Sequence, residues 1–228
     1  MCARYLFELK LNQWSESFAL IFKTFGDWSK WNIAPTNEVP VIRAGPEAGL
    51  PRVDLLRWGL VPKWAQDLSF GSRTINARSE TAAAKPAFRS AFKRRRCLVP
   101  ASGFYEWTGA KGARTAQLIG MQDGSPITFA GLWDRWSHPG GDAVETFTIL
   151  TCPPNELVAT IHDRMPVILP EESRALWLDA QVDDCALLQP LLRPYPAEAL
   201  QALSVGTYVN NTRHQGPRCA EPERDLFS

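Results

Sequence analysis

The chain has 228 residues, 45% hydrophobic and 21% charged, enough apolar material for one domain spanning 1–228 with a real core and an irregular tail from about 219. A net charge of +1 excludes a generally basic nucleic-acid binder, so any grip on phosphates must come from a local cluster of arginines. No apolar run approaches the ~20 residues of a membrane span, and the five scattered cysteines, Cys2, Cys97, Cys152, Cys185 and Cys219, form no CxxC pair. That pattern fits neither a disulfide framework nor a zinc site. A reducing cytoplasm is expected, with no metal and no cofactor.

The chain opens on Met1-Cys2. No signal sequence precedes Cys2, so a lipid-anchored cysteine is not expected. Trimming of Met1 would leave Cys2 as the N-terminus, with a free α-amine beside its thiol. An α-amine has a pKa of about 7.7–8.0, so part of it is unprotonated at neutral pH, unlike a lysine near ~10.4. Such an amine can attack an aldehyde as a Schiff-base nucleophile. The neighbouring thiol can then close a five-membered thiazolidine on the same carbon. By itself, Cys2 reads equally as an incidental cysteine at a frayed end.

Arg4–Phe7 reads as a short strand, and Trp14–Phe25 has amphipathic helical spacing, with Phe18, Ile21, Phe22 and Phe25 on one side and Gly26 as its stop. Asn32–Thr36 reads as a turn into a strand over Val39–Ile42, and Gly45–Gly49 as a hairpin loop to a strand over Val53–Leu60. In Trp58-Gly59-Leu60-Val61-Pro62-Lys63-Trp64 the tryptophans serve as core or as a binding platform. Ser79 is placed as the N-cap of a helix running through the alanines at 82–84, with Pro86 restarting it. Asn76 and Arg78, just before that start, can cap locally or face a ligand. The basic run Lys93–Arg96 is read as a solvated helix end.

Cys97–Pro100 and Gly103–Trp107 are two strand pieces with a bend at Ala101-Ser102. Glu106, among Phe104, Tyr105 and Trp107, would have a raised pKa if buried and would suit a general acid. Strict alternation would instead turn it to solvent. Further strands are predicted over Gln117–Met121, Ile127–Trp133 and Thr146–Thr151, with turns at Asp123-Gly124 and His138–Gly141, where His138 is taken as exposed. A short helix through Val158 delivers His162 in His162-Asp163-Arg164-Met165-Pro166, an acid-base candidate ahead of an apolar strand over Val167–Leu169. Helices are expected from Pro170 to Leu178 and from Asp183 to Leu192, then a last strand over Leu203–Val209.

Six blocks taken together resemble the SOS response-associated peptidase (SRAP) family: Met1-Cys2, Asn32–Thr36, Trp58–Pro62, Asn76–Thr81, Gly103–Trp107 and His162–Pro166. Order and spacing agree from residue 2 to about 218, where Val209-Asn210-Asn211 and Gly216-Pro217 look like the closing motif. The resemblance implies an α+β, β-rich fold of barrel-like antiparallel or mixed sheets with peripheral helices. It also implies covalent crosslinking to abasic sites in single-stranded DNA, including single-strand/double-strand junctions, through the Cys2 thiazolidine. Residue by residue it implies Cys2 as nucleophile, Glu106 as general acid-base, His162 as partner in opening the sugar, and Asn76 as holder of the terminal amine. Arg4, Arg78 and Arg164 would grip phosphates, Pro35 and Trp64 would wedge or stack, and Thr151 would make a backbone contact. Self-processing of the residue ahead of Cys2, crosslink reversal, a monomer, and a bacterial cytoplasmic setting on the nucleoid belong to the same expectation. Ala3 departs from the family's usual glycine and is expected to affect rate.

Two rivals use the same residues. In an N-terminal nucleophile hydrolase or peptidase, Cys2 would form an acyl-enzyme with His162 as base and the Asn76 amide in an oxyanion hole. In a noncovalent single-stranded DNA binder, arginines and tryptophans would act with Cys2 idle. The near-zero net charge disfavours a binder that relies on charge alone.

Overall fold

The computed structural model describes residues 2–45, 50–110, 113–138 and 140–223. Its elements in chain order are β1 (Tyr5–Glu8), α1 (Glu16–Phe25), β2 (Ser29–Ile33), β3 (Glu38–Ala44), β4 (Pro51–Trp58), β5 (Asn76–Arg78), α2 (Ser79–Ala82), α3 (Arg89–Arg94), β6 (Arg96–Ala101), β7 (Gly103–Thr108), β8 (Thr115–Met121), β9 (Ile127–Ser137), β10 (Ala143–Cys152), α4 (Glu156–Ala159), β11 (Met165–Pro166), α5 (Glu171–Leu178), α6 (Cys185–Leu188) and β12 (Leu200–Val205). The connections include short 3-10 turns over Leu68–Arg73, Thr207–Asn210 and Pro217–Ala220.

Five strands close on themselves. β4–β3, β3–β6, β6–β9 and β9–β10 pair antiparallel, and β10 returns to β4 in parallel. The result is a mixed barrel whose ring leaves no open edge. Beyond that ring β10 carries two short flanking strands, with Thr151 paired to Arg78 of β5 on one side and to Pro166 of β11 on the other. The second sheet is antiparallel in the order β12–β8–β7–β1–β2.

Aromatic rings fasten that sheet to the barrel. Tyr5 meets Trp58 and Phe129 edge-on at centroid distances of 5.3 and 5.9 Å, and Phe104 meets Phe129 at 6.0 Å. Edge-to-face contacts of this kind add to the area the rings bury. α1 covers the outer end, where Phe22 packs with Trp14 and Phe7 and Gly26 stops the helix at a φ of +88°. The expected β-rich barrel with peripheral helices is the architecture observed.

Some elements fall elsewhere than the pattern predicts. Asn32 lies inside β2 and not in a turn, and a short strand, β5, precedes Ser79, which opens α2 and does not cap it. The last strand is Leu200–Val205, not Leu203–Val209, because the chain turns at Thr207–Asn210. The segment from 219 is irregular but packed at its start, since Cys219 is buried and Pro222 bridges to Val205. Most of the Gly45–Gly49 loop lies outside the described residues, as does Pro139 in the His138 turn.

The basic run divides. Lys93 and Arg94 are exposed at the end of α3, whereas Arg96 is buried. Its Nε donates to the Trp177 carbonyl, Nη1 to those of Phe92 and Lys93, and Nη2 to those of Asp179 and Val182. All five guanidinium donors are thus used. They meet carbonyls at the C-terminal end of α3 and along the turn leaving α5.

Candidate active site

Pairing of β1 with β7 sets the first half of the site. Tyr5 opposes Phe104, and the Tyr105 N–H donates to the Arg4 carbonyl at 2.9 Å. Continued outward, that register sets Ala3 opposite Glu106 and leaves Cys2 beside it. Both are enclosed: Cys2 is fully buried and Glu106 is 5% exposed. Alternation fails to turn Glu106 outward because Gly103–Glu106 is buried without a break, β7 being covered on both faces.

The far end of β10 brings the second half. Asn76 opens β5, and its Nδ2 donates to the Cys2 carbonyl at 2.7 Å. His162 and Arg164 stand just ahead of β11, on the other flank of the same strand. His162 lies within charge range of Glu106. Sheet topology therefore draws Cys2, Asn76, Glu106 and His162, from four separate segments, into one place.

Burial governs the electrostatics there. The Cys2 thiol is pushed far above the ordinary thiol range by burial and by the neighbouring Glu106 charge. Burial likewise raises the Glu106 carboxyl, partly offset by neighbouring positive charge. A neutral thiol and a carboxyl able to hold a proton nearer neutrality favour proton-transfer chemistry over a standing thiolate.

The arginines differ in what they have free. Arg4 Nη1 donates to Asn32 Oδ1 at 2.7 Å and to the Val209 carbonyl at 3.0 Å. Its guanidinium also lies 5.4 Å from the Trp107 ring, on a groove of about 620 Å³ that Arg114 and Asn210 help to line. Arg78 is exposed and has no ion-pair partner among the described residues. Arg164 is forked onto Glu80 at 2.6 and 2.9 Å and donates to the Thr151 carbonyl at 2.6 Å. Thr151 itself is buried, its carbonyl held by Arg164.

Pro35 and Trp64 belong to two further segments, the turn after β2 and the loop after β4. Thr36, after Pro35, takes a left-handed φ of 76°, pinned by its N–H to the Trp58 carbonyl and by Arg57 donating to its own carbonyl. Trp64 is 58% exposed and meets Phe70 edge-on. Its loop is held close because Gly59 and Gly71 pack backbone to backbone. A Cβ on Gly59 would stand 2.7 Å from the Gly71 carbonyl oxygen.

Three contributors went unassigned in the sequence. Glu80 holds Arg164, and buried Asn32 ties Arg4 to the carbonyls of Val209 and Asn211. Gln215 locks Asn32 in turn, accepting from its N–H and donating to its carbonyl. Glu80 lies two residues beyond Arg78 in a block already singled out, which was the available signal. For Asn32 and Gln215, far apart in sequence, there was none beyond their lying in or near motif blocks.

Known proteins resemble this chain in both sequence and fold. The family model described as SOS response associated peptidase (SRAP) matches residues 1–212. The chain is 37% identical over 225 residues to the abasic site processing protein YoqW of Bacillus subtilis, covering 97% of this chain and 99% of that one. It is 33% identical to the abasic site processing protein HMCES of Gallus gallus, across 73% of this chain and 56% of the longer relative. A crystal structure of a protein from Bacteroides thetaiotaomicron superposes with a TM-score of 0.82 at 25% identity, covering 98% of this chain and all of that one. By sequence and by fold, the chain belongs to the SRAP family.

Proposed function

We propose that this protein captures abasic sites in single-stranded DNA as a covalent thiazolidine on Cys2. The observation that carries the reading is the convergence on Cys2 of Asn76, through its 2.7 Å hydrogen bond, and of Glu106, buried beside it. The names of the relatives supply the substrate class.

Removal of Met1 exposes the α-amine. Glu106, its carboxyl raised by burial, protonates the sugar ring oxygen as the abasic deoxyribose opens to its aldehyde. The amine attacks that carbon; Glu106, recharged by the hydroxyl proton released as the ring opens, protonates the carbinolamine hydroxyl, and water leaves to give an iminium ion. The thiol then adds to the same carbon and gives up its proton to His162. One aldehyde and one aminothiol thus become one thiazolidine and one water. Reversal runs the same steps backward through the same pair. Asn76 fixes Cys2 through its carbonyl without protonating the amine.

A thiol held neutral by burial suits this amine-first order better than the hydrolase route, which needs a thiolate at the outset. Self-processing of Met1 would use the same nucleophile and Glu106. Arg78 and the outer edges of Arg4 and Arg164 hold flanking phosphates. Pro35 and Trp64 stack against bases where a duplex begins, each base–aromatic stack being worth ~1–3 kcal/mol. The protein works as a monomer with the chromosome in a bacterial cytoplasm.

The test mixes the Met1-trimmed protein with an oligonucleotide bearing one abasic site and resolves the products after boiling in detergent. A heat-stable adduct that requires both Cys2 and the lesion is expected. No adduct from fully trimmed protein would sink the reading.

A further inference from the structure

His162 is placed by its own turn. The Arg164 backbone N–H donates to His162 Nδ1 at 3.0 Å, a local side-chain-to-backbone closure of the kind that shapes Asx turns. A nitrogen that accepts an N–H holds no proton of its own, so the neutral ring carries its proton on Nε2. The Asp163 carboxylate lies 2.9 Å from the same Nδ1 but is 85% exposed. It can bond that nitrogen only in a form of the ring that carries a proton on Nδ1. The two neighbours therefore compete for one nitrogen: the Arg164 N–H favours the Nε2–H ring, and Asp163 favours a ring with its proton on Nδ1.

What fixes that N–H is the Arg164 side chain. Its guanidinium is clamped to the Thr151 carbonyl at 2.6 Å on β10 and forked onto Glu80 at the start of α2. Glu80 is itself touched by Ser79 Oγ at 3.4 Å. The fork therefore links α2, the end of β10 and the turn before β11.

We propose that Glu80 is a positioning residue for His162. Through Arg164 it holds the 162–164 turn in the form that keeps Nδ1 an acceptor and leaves Nε2 as the nitrogen that gives and takes protons. The inference rests on the acid-base role of His162 proposed above. It assigns Glu80 a part in the chemistry and not in DNA affinity, since its negative charge cannot attract phosphate.

The experiment is 15N NMR of the full chain labelled at histidine, three residues in this sequence, with His162→Gln to assign the signal. Neutral wild-type His162 is expected as the Nε2–H tautomer. Glu80→Gln keeps the side-chain shape and removes the charge. It is expected to give a mixture of tautomers and to slow crosslinking at saturating DNA by roughly tenfold, the scale of a small misplacement at a reacting group. Affinity for an undamaged oligonucleotide is expected not to fall. Arg164→Lys, which keeps a cation but loses the fork, should shift the tautomer in the same way. An unchanged tautomer in both variants overturns the inference, as does a Glu80→Gln protein whose only defect is weaker DNA binding or a lower melting temperature. If the wild type forms no adduct, the crosslinking reading fails instead, and the tautomer measurement still decides what Glu80 does.

Discussion

Arg96 and the Cys2 site both bury polar groups, and they are built to opposite rules. Every donor of Arg96 finds a backbone carbonyl, at the junction of α3, β6 and α5. Around Cys2, Asn76 Oδ1, Arg4 Nε and Arg164 Nε are buried with no hydrogen-bond partner among the described residues. A buried polar atom left unmatched costs about 1–3 kcal/mol. Unmatched buried polar atoms also occur elsewhere, on Trp14, Arg43 and Arg174, so what sets the Cys2 region apart is that its unmatched atoms border the proposed reacting groups, where a ligand can supply partners. The first region is matched donor for donor, and the second leaves atoms open to a ligand.

Substitutions should separate the two. The largest effect is expected from Cys2→Ala, which abolishes the heat-stable adduct while leaving binding to undamaged single-stranded DNA in a native gel. Glu106→Gln should lower the adduct rate by ~10²–10⁴, the usual contribution of a general acid-base, in single-turnover kinetics. Its effect on stability has the opposite sign. The raised carboxyl pKa means that the native state binds that proton more tightly than the unfolded chain. Stability is therefore fully present below the unfolded carboxyl value and is lost as pH rises through the folded one. Glu106→Gln should melt higher than wild type at pH 8 and gain nothing at pH 4.

Arg96→Met should do the reverse, costing about 3–5 kcal/mol in denaturant unfolding because five carbonyls lose their donor. The adduct rate of its folded fraction should stay close to wild type. The smallest change belongs to Arg78→Ala. Loss of this exposed guanidinium is expected to weaken single-stranded DNA binding a few-fold, and to flatten the salt dependence by about 0.7 in log–log slope, one phosphate contact's worth. An unchanged slope would remove Arg78 from the phosphate contacts.

How much of this was legible in the sequence follows from how local each signal is. α1 and most strands are written in periodicity, and Cys2, Glu106 and His162 stand in motif blocks whose chemistry can be read from residue type. β5 could not be seen, because a strand of three residues, Asn76–Arg78, is too short to show a period. Arg96 was hidden inside a charge run, where exposure is the ordinary reading, since its acceptors on α5 and beyond lie more than eighty residues away. The inward turn of Glu106 depended on a second covering layer, and alternation along β7 alone pointed the other way. Asn32 looked like part of a turn because its purpose, tying Arg4 to Val209 and Asn211, exists only once the chain has folded back on itself.

The most direct test of the central claim is the mass of the N-terminal peptide after adduct formation and proteolysis of the full chain. The account predicts that the peptide beginning at Cys2 carries the sugar remnant with loss of one water, forms without borohydride, and has a thiol that no longer alkylates. A remnant on a lysine, or a Cys2 peptide trapped only by reduction with its thiol still free to alkylate, would contradict it.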